Sequence, residues 1–331
     1  MPAVLKPAQE KTAEKTCCEG RLNEVRGEPA PWLRPGSEPQ DINFNEVAMI
    51  KKFTPLMLPA LLLTALAAAA FQPMPAAADT SRHLGRGVAF CGETVPLNRS
   101  EVYQSVDQNL LLLSEAKSRV WLTLRRSGRY KPLIEAELKK AGVPADLIYI
   151  PMAITSLAPE YNQGGRGIWR FREDDAKALG LRIDKNIDER LDPAASTAAA
   201  AKRLSALKAT YGYWTTAMAA HLLGDKFISQ AIVEAGGEKE FWKLYMPDGL
   251  DALPATVIAG KVLFQDPGAF GYHQSSERSW PPMPTQRAEV KENTTARAIA
   301  ARYKKDYKTF RDANPHLLTG VVPAGVVVNV P

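Results

Sequence analysis

The stretch LIYIPMAITSLAPEYNQGGRGIWRF, from Leu147 to Phe171, carries two prolines, a glycine-rich turn, two arginines and several aromatics, with Glu160 as its only carboxylate. A carboxyl on a loop after Pro159 is a candidate general acid, and a solvated loop residue is its plainer reading. His221, within AAHLLG, has a side chain that titrates near neutrality and is a second candidate; a hydrogen-bonded structural histidine is the alternative. Glu173 and Asp174 suit the first turn of a helix, where acids complement the dipole. Arg166 and Arg170 could hold a carboxylate bidentately or simply be solvated. No spacing of His, Cys or carboxylates suggests a metal site and no glycine-rich loop suits a phosphate, so no cofactor is expected.

The elements that must position these groups are helical. RSEVYQSVDQNLLLLSEAKSRVWLTLRRSG spaces Val102, Val106, Leu110, Leu113, Val120 and Leu124 mostly three and four apart, and its helix is expected to end at Gly128. RYKPLIEAELKKAG closes on Gly142, and Pro144 opens the helix that leads into the candidate loop. Further helices are expected from Pro193 to about Tyr211 and over YWTTAMAAHLL, KFISQAIVEAG and LPATVIAGKVLF. Residues 272–287, rich in Pro and Ser, read as a linker. Residues 288–331 read as a small βααβ module: AEVKE and VVVNV are strands, and ARAIAARYKK and KTFRDAN are helices.

A targeting signal lies inside the chain. Lys51 and Lys52 precede an apolar run from Leu56 to Ala70, and Ala76-Ala77-Ala78 offers a small-residue cleavage site. Pro55 and Pro59 interrupt the run, which favours a cleaved signal over 49–78 rather than a lasting membrane span. Export to the periplasm with a cut after Ala78 is the expectation. Residues 1–48 lack apolar periodicity and read as a disordered or mis-annotated extension, with Met49 as a candidate start. Cys17 and Cys18 fall in that extension, which leaves Cys91 alone and without a disulfide partner. The formal charge of +6 suits an anionic partner such as nucleic acid, a membrane surface or a cell-wall polymer.

After a lead over 79–94, residues 95–271 resemble the catalytic domain of the membrane-bound lytic murein transglycosylase D family, which has a goose-type lysozyme-like helical fold. VPLNRSEVYQSVDQN, SGRYKPLIEAELKKAGVPADLIYIP, DERLDPAASTAAAAKRL, YGYWTTAMAA, GGEKEFWKLYMP and VLFQDPGAFGY carry the resemblance, in order. Residues 288–331 resemble one lysin motif (LysM), whose glycan-contacting positions would be Asn293, Thr294, Asn314 and Pro315. The resemblance implies a mainly α, transglycosylase SLT-type domain followed by a LysM-like domain. It also implies chemistry on peptidoglycan, in which one glutamic acid protonates the leaving oxygen and then assists closure of a 1,6-anhydro product.

The family pattern there resembles Y-[LI]-P-L-[IV]-E-S-x-[FY]-x-P. Aligned on Tyr149, Pro151 and Pro159, the glutamate position holds Ile154 and the serine position Thr155. The family's G-L-W-Q-F is Gly167-Ile168-Trp169-Arg170-Phe171, and its A-A-Y-N-A-G is Ala219 to Gly224 with His221 where the tyrosine stands. The expected groove residues are Tyr149, Trp169, Arg170, Phe171 and His221, with bulk that also suits packing. The main expectation is an inactive relative that binds glycan strands or docks cell-wall enzymes, with no nucleic-acid role. The alternatives are an active transglycosylase using Glu160 as a relocated acid, or His221 in that part, and a protein-interaction module using the altered groove.

Overall fold

A computed structural model describes residues 80–273, 279–283 and 286–331, all within one compact unit. The expected signal segment and the extension before it lie outside the described residues. Among the described residues, no helix is long and apolar enough to cross a membrane.

The chain is mainly helical. Helix α1 (Thr80–Leu84) leads to a two-residue hairpin of β1 (Ala89–Phe90) and β2 (Glu93–Thr94). Then come α2 (Ser100–Glu115), α3 (Lys117–Lys140), α4 (Tyr149–Ile154), α5 (Glu173–Ala178), α6 (Pro193–Tyr211), α7 (Trp214–Leu223), α8 (Asp225–Glu234) and α9 (Ala252–Gln265). Helix α6 begins and ends as its sequence dictates. Asp192 accepts from the Ala194 amide at 2.9 Å, Pro193 fills the first turn, and Gly212 closes the helix at φ 83°. Glu93 reaches across to the start of α7, accepting from the Trp214 amide at 2.6 Å and the Thr215 amide at 3.0 Å.

The first long helix breaks at Ala116, twelve residues before the glycine expected to end it. The Ser114 carbonyl accepts from the Tyr272 hydroxyl at 2.5 Å, so a tertiary partner takes an acceptor that the next turn would have used. Gly128 sits inside α3, where it permits close approach. A Cβ there would lie 2.7 Å from the Trp280 carbonyl oxygen and 2.7 Å from the Ser279 Cβ. The Trp280 amide bonds the Arg125 carbonyl, the Met283 amide bonds the Arg129 carbonyl, and Met283 is buried. The described part of the expected linker is therefore a strap laid along α3 rather than a free spacer.

The helical core gathers Phe90, Leu110, Ile134, Trp169, Phe171 and Phe241 around α9. Helix α9 seats α4 closely: a Cβ on Gly260 would fall 2.5 Å from the Ala153 Cβ. That contact sets the position of Ile154, the next residue.

In the C-terminal module, β3 (Arg287–Glu289) pairs antiparallel with β6 (Val327–Asn329), and β4 (Thr294–Thr295) with β5 (Val321–Val322). Helices α10 (Ala296–Arg302) and α11 (Tyr307–Ala313) complete it. Its core of Val290, Ile299, Phe310, Leu317 and Val328 also contains Ile187, a residue of the helical domain. Ile187 forms a β-bridge with Leu317; Asp188 donates to the His316 carbonyl at 2.9 Å and Leu318 to the Asn186 carbonyl at 2.7 Å. Arg287 pairs with the buried Asp192. The module is docked on the helical domain.

Candidate functional site

The segment after α4 forms the floor of a groove of about 500 Å³, walled by α3 on one side and by α9 on the other. Ile154 and Thr155 end α4, and the chain then turns through Ser156 and Leu157, both at φ 54°. Two successive left-handed residues with side chains cost about 1–2 kcal/mol each, so the surroundings must hold them there. Arg119 and Arg126 of α3 do so. The Arg119 guanidinium bonds the Ala153 carbonyl, reaches the Ile154 carbonyl at 3.3 Å and the Ser156 hydroxyl at 3.3 Å. Arg126 donates to the Ser156 carbonyl at 3.2 Å. These carbonyls are the open C-terminal acceptors of a short helix, where a cation is favoured.

The groove therefore presents cations where proton transfer would need an acid. Its lining includes Arg119, Arg126, Tyr161, Gln163 and Thr256, and contains no carboxylate or histidine. Burial of Arg119 lowers its pKa, opposed by the neighbouring Tyr161. The Ile154 side chain is buried in the floor, and the Thr155 hydroxyl turns inward, 2.7 Å from the Ile168 carbonyl and 2.9 Å from that of Pro151. Neither can deliver a proton to a glycosidic oxygen.

Glu160 lies outside this groove. It is 70% exposed and pairs with Arg126 at 2.9 Å, lining a neighbouring hollow on the other side of that arginine. His221 is buried: its Nε2 lies 3.0 Å from the Trp169 carbonyl, and its ring meets Phe171 edge-on at 5.3 Å. Burial, with Arg203 nearby, pushes its pKa down to about 4. Trp169 is fixed by its Nε1 donating to Thr197 at 2.9 Å, and with Phe171 it belongs to the core. Tyr149 is half-buried, and burial pushes its hydroxyl up to about 12.

Arg170 is committed to holding the preceding loop. Its Nε donates to the Gln163 carbonyl at 3.0 Å and its Nη1 to the Leu222 carbonyl at 3.0 Å, from a backbone at φ 54°. Arg166 pairs with Asp188 at 2.9 Å. The groove thus does not gather Tyr149, Trp169, Arg170, Phe171 and His221: motif register located them in the chain, but their side chains serve the scaffold behind it.

Among the LysM-like positions, Asn293 is exposed and accepts from the Ala324 amide at 3.0 Å, and Thr294 is half-buried. Asn314 is wholly buried, donating to the Phe310 and Asn329 carbonyls at 2.8 Å each and accepting from the Asn329 amide at 2.6 Å. It ties α11 to β6 and has nothing to offer a ligand. Pro315 faces the hollow beside the helical domain.

Comparison with known proteins finds a family match over part of this site. Residues 133–244 match the Transglycosylase SLT domain, a span that contains the loop from α4 through Phe171 and the buried His221. Over that span the chain is similar to SLT domains. Two curated relatives, both named "Membrane-bound lytic murein transglycosylase D", come from Escherichia coli strain K12 and from strain O6:H1 (CFT073). Each is 29% identical over 128 residues, covering 37% of this chain and 28% of the relative. The chain thus matches little more than a quarter of the length of those relatives. Both walls of the groove, Arg119 and Arg126 on α3 and Thr256 on α9, lie outside the matched SLT segment.

The sequence reading did not single out Arg119, Arg126 and Arg129. Their spacing of seven and three places them on one face of α3, together with Leu122. That spacing was the available signal. Charged residues on an amphipathic helix ordinarily mark its solvent side, so the spacing alone does not point to a groove.

Proposed function

We propose that this protein is exported and associated with peptidoglycan, and that its SLT-type groove binds glycan strands without cleaving them. The observation that carries the reading is the pairing of Ile154 with Arg119. The position that the family pattern gives to a catalytic glutamate holds an alkyl side chain, and a guanidinium rests on the carbonyl of that same residue. Lytic cleavage by one acid needs a group that first gives a proton and then takes one. Among the described residues no carboxylate or histidine lines the groove, and Glu160 and His221 are turned to other work.

The shape of the groove, open between two helices with Gln163, Thr256 and Tyr161 along it, suits a polar polymer better than a compact apolar ligand. The murein in the relatives' names supports peptidoglycan as the polymer class. The LysM-like module would add a second glycan contact at Asn293 and Thr294. Export rests on the signal-like segment 49–78. A cell-wall enzyme held beside the bound strand is the partner this reading favours.

Co-sedimentation with purified sacculi tests it. Ser118 is an exposed groove residue on α3, and Ser118→Trp should fill the groove and reduce pelleting several-fold without lowering Tm. Pelleting unchanged by that substitution would place glycan binding elsewhere and overturn the reading.

A further inference from the structure

A second hollow, of about 460 Å³, opens beside the groove where three parts of the chain meet. Helix α3 contributes Arg126 and Arg129, the strap contributes Trp280, and α11 of the C-terminal module contributes Arg311. The volume lies within the range of roughly 300–1,000 Å³ typical of small-molecule sites. Arg126 belongs to both cavities: its Nη1 bonds the turn at Ser156 in the groove floor, and its Nη2 faces Glu160 in the hollow. A ligand in the groove therefore has this hollow next to it.

The charges in the hollow do not cancel. Glu160 is taken by Arg126, and Asp312 pairs with Lys308 outside the hollow. Arg311 bonds the Leu317 carbonyl at 2.7 Å and the Thr319 carbonyl at 3.0 Å, so its geometry is fixed while its charge has no carboxylate opposite. Arg129 lies 5.1 Å from the centre of the Trp280 ring, reaches the neighbouring Tyr130 hydroxyl and makes no ion pair among the described residues. Stacking on an aromatic face pre-orders a guanidinium and leaves its N–H edge available for a bidentate carboxylate. Packing alone explains why these arginines are ordered. It does not explain two uncompensated guanidinium groups beside one open cavity.

We propose that this hollow binds the carboxylates of a peptide stem carried by a glycan strand lying in the groove, with Arg129 as the principal ligand and Arg311 as a fixed supporting charge. The inference rests on the glycan-binding reading and names the second half of its ligand. Because the hollow needs the strap and the docked module together, it also gives the docking a role: the module completes the anion site.

The test is binding of soluble disaccharide-peptides to the full chain by calorimetry, comparing a ligand with free stem carboxylates with its carboxamide counterpart. The glycan is identical in the two. The free-carboxylate form should bind about tenfold more tightly, equivalent to about 1.4 kcal/mol. Arg129→Gln should reduce that ratio to about twofold, while the exposed control Lys139→Gln should leave the ratio intact. Equal affinities for the two ligands in the unmodified chain would overturn the anion site and leave glycan binding standing. A ratio lowered equally by Lys139→Gln would also overturn it, because the preference would then be diffuse charge. Failure of both ligands to bind would overturn the glycan reading as well.

Discussion

Acidification should destabilise this protein through one buried histidine. His221 is buried, and its ring sits against Phe171 and Trp169 with Nδ1 unpartnered among the described residues. Its pKa falls from 6.5 to about 4, chiefly because burial disfavours the charged ring. The folded state thus holds fewer protons than the unfolded chain between those values, so stability falls as pH drops from about 6.5 toward 4. At about 1.36 kcal/mol per pH unit, the full penalty is about 3 kcal/mol by pH 4. His221→Gln keeps an amide able to donate to the Trp169 carbonyl and removes the titration. Urea unfolding of both chains at intervals from pH 7.5 to 4.5 isolates the effect, since other titrating groups, including the buried His316, largely cancel in the difference. The difference should be flat above pH 7 and should shift by about 2–3 kcal/mol against the unmodified chain by pH 4.5. Parallel curves over the whole range would refute the argument. The same shift bears on function: at pH 7 about one His221 ring in a thousand is protonated, too few for an efficient general acid.

Three further outcomes follow from the geometry. Ile154→Glu alone should not create a transglycosylase, because the Arg119 guanidinium beside it would oppose the rise in pKa from burial and hold the new carboxyl as an anion; an NMR titration placing that carboxyl at 6 or above would contradict this. Gly128→Ala should push the strap off α3 and cost about 1–3 kcal/mol, seen as a lower Tm and faster protease cleavage between residues 272 and 287; unchanged cleavage would show that the strap is not seated there. Ile187→Ala removes the helical domain's side chain from the module core and should cost about 2–5 kcal/mol, with earlier loss of the module in limited proteolysis; an unchanged digestion pattern would mean that Ile187 does not hold the two together.

Much of the scaffold was legible in the sequence because local signals and tertiary fate agree. Helix α6 carries its own start in Asp192-Pro193 and its own stop in Gly212, and burial of its alanine face follows the same period. The βααβ order of the module was legible for the same reason, although the small β4–β5 pair was not. The signals failed where a distant partner overrode the local preference. Gly128 reads as a helix end but serves close approach of the strap, and the actual break at Ala116 depends on Tyr272 reaching a carbonyl from 158 residues away. At the site, Ile154 was visible at once because a motif fixes residue type at a position. Whether Arg170, His221 or Asn314 faces a groove or a core depends on side-chain partners far along the chain, which spacing does not encode. The docking of the module through Asn186, Ile187 and Asp188 was hidden in the same way, within a short polar turn.

Digestion of purified sacculi by residues 79–331, with soluble products read by mass spectrometry, tests the absence of an acid most directly. The expected result is folded protein that pellets with the sacculi and releases no anhydro-muropeptides above a heat-inactivated control. Anhydro-muropeptides released in proportion to the folded protein, and abolished by Glu160→Gln, would contradict the account and make Glu160 the acid.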